Sequence, residues 1–162
     1  MTAAAAPKLY RLGHRSQTRL QGLHPDLVAV VQRAIEWTLV DFTVLEGLRT
    51  YERQQKLVEI GASKTLNSRH LTGHAVDLGA WVDGEVDWAW PLYHGIANAM
   101  AQAARELHVP MVWGGCWDRP LTQIVDAQRA LDDYAKRRRT SGADPFLDGP
   151  HFELDRSIYP AD

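Results

Sequence analysis

Two short stretches of the chain concentrate side chains able to hold a metal ion. The first is Ser68-Arg69-His70-Leu71-Thr72-Gly73-His74-Ala75-Val76-Asp77, with an imidazole and a carboxylate on opposite sides of a glycine. On a strand from residue 74 onward, Ala75, Asp77 and Gly79 share one face, and Val76 and Leu78 share the other. The Val76 face is apolar and suits a core. The Asp77 face offers a carboxylate between very small neighbours, with room beside it. Gly73 lets the chain bend freely, so His70 can converge on Asp77 across the bend. The second stretch repeats the design: His151, Glu153 and Asp155 alternate with the apolar Phe152 and Leu154. Two histidines and one aspartate form a suitable three-ligand set for a catalytic zinc, which keeps its fourth position for water. On geometry alone, a buried or capping histidine remains the alternative for His70 or His151. His70 and His74 are four apart, as in the helical His-Glu-x-x-His motif, but Leu71 replaces the glutamate and Gly73 disfavours a helix there.

The elements that must carry these residues follow from periodicity and turn chemistry. His24-Pro25-Asp26 opens a helix that runs through Trp37, with Leu27, Val30, Val31, Ala34 and Ile35 at helical spacing and Trp37 on the core side. Phe42 to Leu45 reads as a strand, and Thr50 as the N-cap of a helix over Tyr51 to Ile60, stopped at Gly61. Ala75 to Trp81 is a strand that turns back through an Asp83-Gly84 hairpin. Helices are expected from Pro91 to Leu107 and from about Thr122 to Arg139, with a short strand at Pro110 to Trp113 and a last strand at Phe152 and Leu154. Residues 1–22 are polar and read as an arm leading into a domain that spans 23–162. Few βαβ units are present, so the fold class is α+β: a single domain with a small antiparallel sheet flanked by helices.

Composition narrows the function. The 162 residues suffice for one ordinary domain, and 45% apolar with 23% charged residues excludes whole-chain disorder. A single cysteine excludes a disulfide framework and a Cys-rich zinc ribbon. The net charge of -2 provides no global attraction to nucleic acid, and the Lys136 to Arg139 run reads as cations at a helix C-terminus. No segment has the length of a membrane span or the form of a signal peptide, which predicts synthesis in a cytoplasm and no stable membrane insertion. Tryptophans are expected mainly in the core, with some available to line a cleft.

Ser68 to Asp77 fits a Ser-x-His-x-x-Gly-x-Ala-x-Asp signature, and Asp148-Gly149-Pro150-His151-Phe152-Glu153 places an acid three residues before a histidine. Together with Gly47-Leu48-Arg49-Thr50, Gln54 one turn on, and Trp113-Gly114-Gly115-x-Trp117, this resembles the zinc D-alanyl-D-alanine carboxypeptidase and L-alanyl-D-glutamate endopeptidase family. The resemblance spans roughly residues 20–155 and lies nearest the single-domain phage endolysins. It implies the hedgehog/D-Ala-D-Ala peptidase type of fold. It implies one Zn2+ ion held by His70, Asp77 and His151, with Asp148 at the general-base position. Arg49 would hold a carbonyl or carboxylate oxygen of the substrate, Ser68 would support the ligand loop or touch substrate, and Gln54 would stand in the substrate wall. His74 falls at a variable position and is not counted as a ligand. Cys116 stands where relatives often carry a polar or acidic residue, and it reads as a packed residue rather than a fourth ligand.

The implied function is hydrolysis of peptidoglycan stem peptides at the L-Ala–D-Glu bond during host lysis. The alternatives are a D,D- or L,D-carboxypeptidase and a non-catalytic zinc-containing wall-binding module. The implied setting is accumulation as a monomer in the host cytoplasm, holin-dependent release, and action on the wall in the periplasm.

Overall fold

The structure is a computed structural model, and it describes residues 9–161. The described residues form helices α1 (His14–Arg19), α2 (Pro25–Trp37), α3 (Tyr51–Glu59), α4 (Trp90–Leu107) and α5 (Ala127–Thr140). Strands are β1 (Phe42–Glu46), β2 (Ala75–Val82), β3 (Glu85–Asp87), β4 (Met111–Trp113) and β5 (His151–Leu154). The sheet runs β1-β2-β5-β4, with β3 hairpinned onto β2, and every pairing is antiparallel. This is the expected α+β arrangement.

Strand alternation sorts the side chains between a core and an open face. Phe42, Val44, Val76, Leu78, Ala80, Met111, Trp113, Phe152 and Leu154 are all buried. Against them pack the apolar stripes of α2 (Leu27, Val30, Val31, Ala34) and α4 (Ile96, Met100, Ala103, Ala104). Burying each large apolar side chain contributes roughly 1.5–3 kcal/mol, so this layer supplies the rigidity on which the other face depends. The opposite face carries Asp77 and His151, which are direct cross-strand partners in the β2–β5 pairing.

Helix ends follow the local chemistry. Thr50 accepts a hydrogen bond from the Arg53 amide, as its N-cap reading requires, and His24 caps α2 by accepting from the Asp26 amide through Nδ1. Three expectations are corrected. The helix expected from Thr122 starts at Ala127, because Leu121–Gln123 forms a separate 3-10 turn and Asp126 caps α5 by accepting from the Arg129 amide. Trp37 is 42% exposed rather than core: it lies under the Arg33 guanidinium and donates its indole N–H to Glu106. The described part of the expected polar arm is packed. Ser16 of α1 accepts from the Val44 amide and bonds the Thr43 hydroxyl at the edge of β1, and Leu20 joins the core. Residues 1–8 of that expectation lie outside the described residues.

Candidate active site

His70 sits in a 3-10 turn, Arg69–Thr72, between the end of β1 and the start of β2. Ser68 begins the turn by accepting a hydrogen bond from the His70 amide. Gly73 ends it with φ +74°, and a Cβ there would lie 2.6 Å from the Gly22 carbonyl oxygen, so only glycine fits. The Arg49 amide donates to the His70 carbonyl, and His70 Nδ1 lies 2.9 Å from the Gly47 carbonyl oxygen. A carbonyl only accepts, so Nδ1 carries the proton and Nε2 faces inward, 3.2 Å from Asp77 Oδ1.

His151 is fixed in the same manner from the other side. Its Nε2 lies 3.0 Å from Glu153 Oε1, and its Nδ1 lies 3.1 Å from Asp77 Oδ1. Glu153 is itself held by Arg156 at 2.8 Å. With each outer nitrogen committed to an acceptor, the two inward nitrogens and the Asp77 carboxylate form an acceptor set closed around one point. Ligand atoms of His70, Asp77 and His151 all lie within 4.8 Å of one another. Three acceptors facing each other call for a cation, and two imidazoles with a carboxylate suit a borderline-soft divalent metal. The donor set therefore fits a metal ion.

Electrostatics around this point are strong. Burial disfavours charge on Asp77, yet the His151 and His70 rings beside it hold its carboxyl well below the usual carboxylate range. Burial likewise opposes charge on His151, but Asp77 and Glu153 lift it to about 9 in the metal-free chain. Glu153 is brought down to about 2, because hydrogen bonds from His151 and Arg156 outweigh its burial.

Asp148 lies on the segment leading into β5. Its amide donates to the Gly114 carbonyl, its carbonyl accepts from the His151 amide, and the Gly114 amide donates to the His151 carbonyl. A Cβ on Gly114 would meet the Asp148 carbonyl oxygen at 2.1 Å, so glycine at 114 lets these two segments touch. Burial first, and the Asp77 charge second, push the Asp148 carboxyl above its ordinary value. Trp117 places its ring 5.5 Å from that of His151 and stacks on Phe146.

His70, Asp77, His151, Asp148, Arg49 and Ser68 all line one cleft of about 540 Å³. Gln54 does not line it. This residue is fully buried, accepts from Arg49 Nη1, and donates to the Ser63 hydroxyl and the Thr65 carbonyl. Arg49 in turn is clasped by Glu46 through Nε and Nη2, with Asp77 at 3.8 Å. Cys116 is buried away from the metal point, its thiol pushed up to about 11 by burial and Asp118. His74 bonds the Thr72 hydroxyl and stays outside the cluster.

Several functional neighbours escaped the sequence reading. Glu153 had a signal, its alternation with His151 on one strand face. Glu46 had none, because an irregularity between Val44 and Glu46 sets its register opposite Asp77. Trp117 and Phe146 meet only through tertiary packing.

A family model for phage L-alanyl-D-glutamate peptidases matches residues 8–155. The chain belongs to this family. Among its relatives, the L-alanyl-D-glutamate peptidase of Escherichia phage T5 is 29% identical over 113 residues, covering 67% of this chain and 82% of that protein. The L-alanyl-D-glutamate peptidase of Listeria phage A118 is 26% identical over 136 residues, 80% of this chain but 47% of that protein. The crystal structure of the Serratia marcescens L-Ala D-Glu endopeptidase ChiX superposes with a TM-score of 0.71 at 41% identity, covering 93% of this chain and 95% of that one.

Proposed function

We propose that this member of the family is a zinc metallopeptidase that hydrolyses the L-Ala–D-Glu bond of peptidoglycan stem peptides. The observation that carries the reading is the closure of His70 Nε2, Asp77 Oδ1 and His151 Nδ1 on one point beside the Asp148 carboxyl. Those three residues would hold the ion. Zinc bound there supplies Lewis acidity that polarises a peptide carbonyl and acidifies water.

The chain's own groups do the rest. Asp148, lifted above the ordinary carboxylate range, is suited to accept a proton from the attacking water and return it to the amine of the departing D-Glu. Gly47 and Glu153 fix the orientation of the two imidazoles. Arg49, its side chain 9% exposed, keeps a permanent positive charge in the cleft lining, where it would favour the negative charge that develops on the substrate carbonyl oxygen. Ser68 supports the His70 turn from the cleft lining. No helix of the described residues is long and apolar enough to cross a membrane. The same proposal has the chain act on the wall after leaving its compartment of synthesis through a lesion such as a holin makes.

Digestion of purified peptidoglycan, with chelator and after zinc is restored, tests the reading by mass spectrometry of the new termini. New N-terminal D-Glu that depends on zinc is expected. Release of free D-Ala would replace the endopeptidase with a carboxypeptidase, and retained wall binding without products would leave only a binding module.

A further inference from the structure

The cations that line the cleft are not equivalent. Arg49 has Nε and Nη2 committed to Glu46 and Nη1 to Gln54. Arg156 pairs with Glu153. Arg69 is buried and donates to the carbonyls of Leu154 and Tyr159. Lys64 is the remaining lysine or arginine among the described residues of the cleft lining. Its ammonium has no carboxylate partner among the described residues and lies over the Phe146 ring, 5.5 Å from the centroid.

Lys64 is also held in place. Buried Gln54 donates to the Ser63 hydroxyl at 2.9 Å and to the Thr65 carbonyl at 2.6 Å, so both chain neighbours of Lys64 are tied to one side chain. The Ser63 amide donates to the Leu57 carbonyl, which anchors the loop to α3. The ammonium is linked to the metal point by an unbroken aromatic wall. Lys64 lies over Phe146, Phe146 stacks on Trp117 at 5.8 Å, and Trp117 lies 5.5 Å from His151. The cleft already contains the carboxylates of Glu46, Asp77, Asp148 and Glu153. A ligand that brings further negative charge into it needs a counter-cation that is not already committed.

We infer that Lys64, on a loop pinned by Gln54, is the receptor for a free carboxylate of an acidic peptide substrate, and that Arg49 is not. The inference rests on the stem-peptide reading above. In such a peptide the carboxylate comes from one of two places: the α-carboxylate of D-Glu, or the carboxylate of a residue further along. Lys64 is thereby a specificity-determining residue. Gln54 is a positioning residue that acts through it.

The test uses the full zinc-loaded chain and three synthetic stem peptides. One has all carboxylates free, one has the D-Glu α-carboxylate amidated, and one has the downstream carboxylate amidated. Wild-type protein should prefer the free peptide over one of the amidated forms by roughly ten-fold or more in kcat/KM, mostly through KM, as expected for a charge-assisted hydrogen bond. Which amidation matters identifies the source of the carboxylate. In Lys64→Met the ratio should fall to near one, and Lys64→Arg should restore it. A Lys64→Met variant that keeps the wild-type ratio overturns the inference, as does a wild type indifferent to both amidations. If wild-type protein cuts none of the peptides, the peptidase reading falls. Calorimetric binding of the same three peptides then decides the receptor separately: carboxylate-selective binding lost in Lys64→Met upholds it, and equal binding overturns it.

Discussion

The wall that carries His70, Asp77, His151 and Asp148 is made of paired strands and short turns whose backbone groups bond one another. Asp77 and His151 are cross-strand partners, and Gly114, Asp148 and His151 exchange three backbone hydrogen bonds. The facing wall, residues 61–66 with Phe146, is mostly exposed loop, tied down mainly through Gln54 and the Ser63 amide. Chemistry needs atoms fixed to a fraction of an ångström, and strands over a packed core supply that. Choosing among substrates tolerates adjustment, and a loop pinned at a few points is enough.

Disturbing the strand-built wall should cost most. Asp77→Ala removes the carboxylate that both imidazoles face, so on the proposed function it should abolish stoichiometric zinc binding. Turnover should fall by more than the roughly 10²–10⁴-fold of a single acid–base group, as metal analysis and peptide kinetics would show. Gly114→Ala drives a methyl into the Asp148 carbonyl. It should lower stability by about 1–3 kcal/mol and lose activity out of proportion, because relief requires moving Asp148. Denaturant unfolding alongside kinetics separates the two effects.

Glu153→Gln keeps the shape but loses the charge that orients His151. Zinc affinity should weaken by roughly 10–100-fold with a smaller change in kcat at saturating metal. The same contact sets a pH dependence. With His151 lifted to about 9, a proton competes with the metal at neutral pH, so apparent zinc affinity should rise as pH increases toward 9. For the metal-free fold the sign is opposite. The raised histidine contributes stability that is complete below its unfolded value of about 6.5 and is lost as pH rises through about 9. Thermal melts with and without chelator across that window should diverge.

The loop wall should give the smallest effect. Gln54→Leu frees the flanks of Lys64 and one Arg49 donor, and it should cut kcat/KM several-fold while leaving zinc affinity unchanged. A zinc titration that shifts with Gln54→Leu would mean that the two walls are not independent.

The strand-borne half of the cleft was legible in the sequence because a period of two forces Asp77 and His151 onto one face, opposite Val76 and Phe152. The Gly73 bend was legible for the same local reason. What stayed hidden depends on contacts distant in sequence. Glu46 meets Arg49 and Asp77 through an irregular register, Trp117 meets Phe146 with all of α5 between them in the chain, and Gln54 is buried instead of lining the cleft. Polarity suggested a free arm before residue 23, yet Ser16 is consumed by the edge of β1.

On the proposed function, holding the metal and moving the proton are separate tasks, given to His70–Asp77–His151 and to Asp148. Zinc stoichiometry and stem-peptide turnover, measured together on wild type and Asp148→Asn, test it most directly. One zinc per chain is expected in both proteins, with turnover reduced by roughly 10²-fold or more in the variant. Wild-type turnover in Asp148→Asn, or loss of its zinc, would contradict the account.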